Sequence, residues 1–451
     1  MNRIPSITST QRTWFAVVAL LMILEMADIN AFAYVAPTVK EQWGLSVDQV
    51  AAITASAFLG MSVGALVGGA LADRFGRKRM LVVGTVFYSL ASLGCAVAQN
   101  AIQMTAFRFL VGAGLYVVTI CALTYIAEMF PQSQRGRVQA LTLAIALLGI
   151  PAMSWFSRWA IPRGEETWRW VFVLGAMGLV AALIAQRRLP ESIRWQESRG
   201  RVDDDTERLV SRIESESETL LPIEELAPTP SSRISFRDFA RSGYLRRTFV
   251  LALVLGLSSS VFYGFNSWIP LLLTEHGFST TSSLTYTSIL ALAACPGALS
   301  AMLFIDRVER RTALMIVFLL IAVMLLIFGL TNNLAVLLVS GVTLCFLLYC
   351  STAVAYTYTP EIFPTRVRAF GTGIANSIGR LSAFGSMFAV AAILGNVGFV
   401  AVFAVLASAI TLAGLIIGLL GQRTRGRTID EVATTAVVES RSEDPGVIQV
   451  R

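Results

Sequence analysis

The sequence predicts an all-α membrane protein with twelve transmembrane helices in two pseudo-symmetric six-helix bundles. Three observations carry this. Of 451 residues, 55% are hydrophobic and only 14% are charged, against roughly 45–50% and about 25% in soluble proteins. Long apolar runs recur along the chain. Charged and special residues repeat between its two halves at one fixed offset. The composition alone excludes a disordered chain, a disulfide-stapled secreted domain and an ordinary cytosolic enzyme.

A bilayer core of roughly 30 Å needs roughly 20 helical residues per crossing. Runs of that kind begin near Thr13, Val50, Met80, Ala101, Val138 and Trp168, and again near Thr248, Ser282, Thr312, Leu334, Phe370 and Gly395. The expected organisation is a bundle over 12–188, a cytoplasmic linker over 189–246, a second bundle over 247–421 and a cytoplasmic tail over 422–451. The linker is polar and charged, with Asp203–Asp205 and a Pro-containing stretch from Ala227. In it, Phe236, Phe239 and Tyr244 interleave with Arg237, Arg241, Arg246 and Arg247. That pattern reads equally as a segment on the membrane surface or as a solvated loop.

The net charge is +7. Its basic residues sit in short clusters between apolar runs, which marks cytoplasmic loops and not a nucleic-acid surface. With the N-terminus inside, the short inner loops hold Arg74, Arg77, Lys78, Arg79, Arg135, Arg137, Arg307, Arg310, Arg311, Arg366 and Arg368. The outer loops hold Lys40, Arg158, Arg163 and Arg169. Eleven against four favours both termini inside, in the cytoplasm, and a multi-pass plasma or inner-membrane protein is expected. Arg3 and Arg12 precede an apolar run too long for a signal core, so the first span is expected to be an uncleaved anchor. The five cysteines lie inside apolar stretches and form no CxxC pair, which suggests neither a metal site nor a disulfide framework.

The halves match without a gap. Asp73, Arg74 and Arg77 correspond to Asp306, Arg307 and Arg310. Tyr125, Glu128, Phe130, Pro131 and Arg135 correspond to Tyr358, Glu361, Phe363, Pro364 and Arg368. Gly44-x-Ser46 corresponds to Gly277-x-Ser279. Every pair is 233 residues apart. The economical reading is an internal duplication, the architecture of carriers that bind substrate near the bilayer midplane.

At these residues the chain resembles the major facilitator superfamily. The run Gly69-Ala-Leu-Ala-Asp73-Arg74-Phe-Gly76-Arg77-Lys78 is similar to that superfamily's signature between helices two and three. The second-half counterpart keeps Asp306, Arg307, Arg310 and Arg311 but has Glu309 in place of the glycine. Tyr125–Pro131, Tyr358–Pro364 and the Pro190–Trp195 motif resemble the sugar-porter and metabolite-symporter branches. The seventh span, Tyr263-Gly-Phe-Asn266-Ser-Trp268-Ile-Pro270, lacks the paired glutamines of sugar porters and looks more like the metabolite:proton symporters, which include aromatic-acid and nicotinate carriers. Their Asp-Gly-x-Asp motif stands here as Glu25-Met26-Ala27-Asp28.

Charged groups at bilayer depth cost roughly 2.5–3.5 kcal/mol on insertion scales, so they need a function or a partner. Glu25 and Asp28 lie midway along the first span on one face. A carboxyl group there can bind and release a proton as water access alternates, and Arg108 in the fourth span can bias it. The competing reading is a structural salt bridge. Arg380 in the eleventh span suits an anionic substrate, since guanidinium matches carboxylate bidentately. Tyr263, Asn266, Trp268, Tyr349, Tyr356 and Asn376 are candidates to line the cavity around it, with helix packing as the alternative for each. Gly60, Gly64 and Gly68 recur at a spacing that permits close helix packing. The single histidine, His276, falls in a loop, so a histidine relay is not expected.

Asp73, Arg74, Arg77, Glu128, Arg135, Asp306, Arg307, Arg310, Glu361 and Arg368 form the expected cytoplasmic gate. Asp73 is expected to receive backbone hydrogens at a helix N-terminus and to pair with a basic side chain, Glu128 to pair with Arg135 or Arg137, and Glu361 with Arg366 or Arg368. No P-loop, GxSxG, HExxH or metal cluster appears, so neither an enzyme nor a cofactor is expected. The expected activity is secondary active transport: proton-coupled uptake of a small organic acid or related metabolite by alternating access, by a monomer in the lipid bilayer. A passive facilitator or sugar porter, or an exporter of the same fold, is the alternative.

Overall fold

The computed structural model describes residues 4–200, 204–217, 244–305, 307–363 and 365–422, with backbone only at 365–370. Among them, twelve segments are helical, long and apolar enough to cross a membrane. The first four are unbroken helices: α1 (Ser9–Trp43), α2 (Val47–Phe75), α3 (Arg77–Val97) and α4 (Ala101–Met129). The fifth consists of α5 (Arg135–Ala146) and α6 (Gly149–Ala160), the sixth of α7 (Arg169–Gly175) and α8 (Gly178–Arg188). Two short helices follow, α9 (Ile193–Ser198) and α10 (Asp204–Ser215). The seventh span is α11 (Tyr244–Asn266) with α12 (Ile269–Glu275), and the eighth α13 (Thr280–Ala291) with α14 (Ala294–Phe304). The last four are α15 (Arg310–Leu330), α16 (Leu334–Glu361), α17 (Thr365–Asn396) and α18 (Phe399–Leu420).

Local chemistry sets the helix ends. The Thr8 hydroxyl accepts the Gln11 N–H and the Gln11 side chain accepts the Thr8 N–H, a capping box that starts α1. Gly44 ends α1 at φ +61°, and Ser46 caps α2 with Gln49. The duplicated Gly-x-Ser behaves alike in the second half: Gly277 has φ +100°, and the Ser279 hydroxyl accepts the Ser282 N–H to start α13. The repeat is thus a stop followed by a start. Prolines sit beside three of the helix breaks. Pro151, Pro270 and Pro296 stand near the beginnings of α6, α12 and α14, where a missing N–H is tolerated.

The contacts divide the chain into two compact units. One contains 1–227 and 267–295, the other 228–266 and 296–451. Besides the division in the linker, boundaries fall inside the seventh and eighth spans, so α12 and α13 pack with the first six spans. Within that first unit, the Ser154 and Ser288 hydroxyls are 2.8 Å apart, Arg158 Nε donates to Thr285 Oγ1 at 2.5 Å, and Lys40 pairs with Glu275 at 2.6 Å. The glycine stripe of α2 is a packing surface. A Cβ at Gly60 would lie 2.0 Å from the Phe109 carbonyl oxygen of α4, and one at Gly64 2.3 Å from that of Ala113. In the second unit, Phe265, Phe328, Phe399 and Phe403 form an aromatic cluster between α11, α15 and α18.

Candidate functional site

The first unit gathers a polar cluster in its interior. Asp28, Glu25 and Arg108 are almost wholly buried. Asp28 Oδ1 accepts from Ser92 Oγ of α3 at 3.0 Å, and Ser92 Oγ also lies 3.1 Å from the Phe172 carbonyl oxygen of α7. Among the described residues, Asp28 Oδ2 has no hydrogen-bond partner. Arg108 does not cap the carboxylate. Its guanidinium donates to the backbone carbonyls of Asp28 at 3.2 Å and Ile29 at 3.0 Å. Glu25 is held separately, by the Thr119 hydroxyl of α4. Glycines make the room for this. A Cβ at Gly175 would stand 2.5 Å from Asp28 Oδ1 and 2.8 Å from Ser92 Oγ, and one at Gly178 2.6 Å from the buried Tyr88 hydroxyl. A Cβ at Gly149 would lie 2.1 Å from the Ile23 carbonyl oxygen, so α6 also approaches α1 closely.

The second unit holds a cleft of about 730 Å³ of empty space, its open mouth included, lined by α11, α16, α17 and neighbouring side chains. Arg380, Tyr263, Tyr356 and Asn376 all line it, with Ser258, Ser259, Ser351 and Thr352. Arg380 Nη1 donates to Tyr263 Oη at 2.7 Å, which braces the guanidinium. The other expected lining residues lie elsewhere. Tyr349 is buried edge-on against Phe262, ring centroids 5.1 Å apart. Asn266 donates to the Phe262 carbonyl of its own helix at 2.9 Å. Trp268 is buried in the first unit, because the seventh span breaks just before α12.

The expected cytoplasmic gate contains a clasp within the first unit. Arg77 reaches Asp73 at 2.8 Å and Glu128 at 3.0 Å. Glu128 therefore pairs with Arg77 and not with Arg135, whose Nε donates to the Phe130 carbonyl at 3.0 Å. Nor is Asp73 the cap of α3. Glu191 takes that place, accepting the Lys78 N–H at 2.9 Å, while the Ser192 hydroxyl donates to Glu128. Trp195 Nε1 and Arg199 Nη2 donate to the Asp73 carbonyl at 2.7 and 2.9 Å. Arg74 lies over the Phe75 ring. In the second unit Glu361 pairs with Arg310 at 3.4 Å, and Arg307 is exposed. Asp306 and the side chains of Arg366 and Arg368 lie outside the described residues, as do Phe236 and Phe239. At the start of α1, Glu216 accepts from the Thr10 N–H at 2.9 Å, Thr10 Oγ1 at 2.6 Å and Ser9 Oγ at 3.0 Å. These donors pull its carboxyl down to about 2. Among the described residues no group of three or more His, Cys, Asp or Glu side chains is placed to hold a metal ion.

The sequence profile described as Major Facilitator Superfamily matches residues 18–381. The chain belongs to this superfamily. It is 32% identical over 438 residues to the putative metabolite transport protein YyaJ of Bacillus subtilis, covering 95% of this chain and 96% of that one. It is 32% identical over 421 residues to the niacin transporter NiaP of Acinetobacter baylyi, covering 92% and 95%. An inward-open structure of the xylose transporter XylE from E. coli superposes with a TM-score of 0.74 at 17% identity, covering 94% of this chain and 99% of that one. The protein is a multi-pass membrane transporter of the major facilitator fold, not an enzyme. The clasp of Asp73, Arg77 and Glu128 is built on the motifs that carried the resemblance. Sequence reasoning missed Ser92, Thr119, Gly175 and Gly178. Such residues are common in packed helices, and only contact with Asp28, Glu25 or Tyr88 marks them out. Glu191 had a signal, its place in the Pro190–Trp195 motif, but not its role.

Proposed function

We propose that this transporter carries a small organic acid, of the pyridine- or benzene-carboxylate kind, inward together with protons across the cell membrane, with both termini cytoplasmic. The observation that carries the reading is Asp28: a wholly buried carboxyl group with one oxygen held by Ser92 and the other without a partner. A buried ionised carboxylate needs its lone pairs met. Here both hydrogen bonds of the neighbouring guanidinium go to backbone carbonyls, and a proton on the carboxyl group removes the buried negative charge. Arg380, braced by Tyr263 in a polar cleft, offers a fork for a substrate carboxylate. The niacin carried by one relative, by its name, is such an acid. The proton site on α1 and the anion site on α17 then serve one cycle of alternating access, which a monomer can complete.

The test is uptake of labelled nicotinate and benzoate into proteoliposomes containing the purified protein. Wild type should accumulate substrate above equilibrium when the inside is alkaline. Asp28→Asn should lose accumulation and keep counterflow exchange. Unchanged accumulation in Asp28→Asn removes this residue from coupling, and uptake that never exceeds equilibrium in wild type makes the protein a facilitator.

A further inference from the structure

Ser92 carries one hydroxyl hydrogen and stands between two acceptors on different helices. Asp28 Oδ1 of α1 lies 3.0 Å away, and the Phe172 carbonyl oxygen of α7 lies 3.1 Å away. It is fully buried, so water does not substitute for either. An ionised Asp28 can only accept, and it takes the Ser92 hydrogen. The Phe172 carbonyl then keeps the Ala176 N–H alone, at 3.0 Å. When Asp28 carries its proton on Oδ1, it becomes the donor to Ser92 Oγ. The hydroxyl hydrogen is released and turns to Phe172.

We propose that Ser92 reads the protonation state of Asp28 and passes it to α7, its hydroxyl turning between the carboxyl group and the Phe172 carbonyl. This rests on Asp28 being the proton-coupling residue. The balance is simple: one proton arrives on Asp28, one O–H bond forms there, and Ser92 exchanges one acceptor for another without losing its own hydrogen. The receiving end is suited to respond. Phe172 lies in the last turn of α7, beside the break at Ala176 and Met177 that interrupts the sixth span. The other ionisable groups around Asp28 are Glu25 on α1, Tyr88 and Cys95 on α3 and Arg108 on α4. Glu25 is held by Thr119, and Arg108 by two carbonyls. α7 and α8 face the cluster with Gly175 and Gly178, and α6 approaches α1 with Gly149, so these helices bring no charge there.

The experiment needs no substrate. Hydrogen exchange of the peptide spanning 169–178 is followed in the full-length reconstituted protein between pH 5.5 and 8.5, corrected for intrinsic exchange. In wild type, protection should be about fivefold higher at the acidic end, the worth of roughly one added hydrogen bond. Asp28→Asn and Ser92→Ala should both abolish this response. Ser89→Ala, which removes a hydroxyl from α3 without one of the hydrogen bonds to Asp28, should keep it. Ser92→Cys, a weak donor of similar shape, replaces Ser92→Ala if the latter does not fold. A Ser92→Ala protein with the wild-type response overturns the relay, as does a wild type with none. The failure of the coupling reading looks different: Asp28→Asn would then accumulate substrate like wild type, whatever α7 does.

Discussion

Gly175→Ala tests whether room beside Asp28 matters to transport. The new Cβ would stand 2.5 Å from Asp28 Oδ1 and 2.8 Å from Ser92 Oγ, about an ångström inside ordinary contact. Asp28 has no exposed surface into which to swing. The carboxyl group must therefore turn off Ser92 or α7 must back away from α1 and α3. Overpacking of this kind costs about 1–3 kcal/mol, and losing a hydrogen bond to a charged group about 1.5–3 kcal/mol. If half or more of that falls on the proton-binding step, at 1.36 kcal/mol per tenfold, gradient-driven initial uptake should drop roughly tenfold to a hundredfold. The assay is uptake into proteoliposomes under an inward proton gradient, beside counterflow exchange and a thermal melt. Gly385→Ala is the control, because a Cβ there meets nothing within 4 Å. It should transport normally. A Gly175→Ala protein with wild-type uptake and unchanged pH dependence would refute the argument that this contact shapes the proton site.

Gly76→Ala should lower the thermal midpoint and the yield of folded protein, by about 2 kcal/mol or more in stability. Gly76 has φ +105°, and its Cβ would lie 2.3 Å from Glu191 Oε2. Arg380→Lys keeps the charge but loses the fork, so the apparent affinity for a carboxylate substrate should fall about tenfold with folding unchanged; equal affinity in a binding titration would move the anion site elsewhere. Glu216 is lowered from its ordinary 4.5 to about 2 by its hydrogen bonds to Thr10 and Ser9. Its stabilisation is therefore complete above about pH 4.5 and fades as pH falls toward 2. The melting difference between wild type and Glu216→Gln should be full at pH 7 and shrink progressively below pH 4.5; a difference that grows on acidification would contradict the sign.

The twelve spans were legible because bilayer thickness imposes a length that few soluble helices reach; the Gly-x-Ser repeat marked the duplication, and its role as helix stop and start came from the fold. Asp28, Glu25 and Arg108 stood out by charge at depth, and the structure brings them into one region of the first unit. Their partners were not legible. A serine or glycine in an apolar helix signals nothing until the facing helix is known, so Ser92, Thr119 and Gly175 came from the fold alone. The direction of Arg108 is of the same sort: its charge predicts an acidic partner, yet its two hydrogen bonds go to backbone carbonyls. Arg380, Tyr263, Tyr356 and Asn376 share a cleft. Trp268, written beside Tyr263 in the sequence, is separated from it by the helix break that sends Trp268 into the other unit, while Asn266 stays on the helix of Tyr263 and bonds its own backbone. The gate pairs were legible in residue type and not in connectivity, because several arginines compete for each acid within a few residues.

The clasp at Glu128 bears on how this transporter can be recombined with its relatives. Glu128 is shared between Arg77 from one segment and Ser192 from another more than a hundred residues later, while Glu191 next to that serine sits on the turn at Gly76. A chimera that swaps the loop after the second span alone, or the stretch after the sixth alone, inherits half of a lock. Segments around residues 73–79, 128 and 190–199 therefore have to be exchanged together, as one cassette, if a hybrid carrier is to assemble.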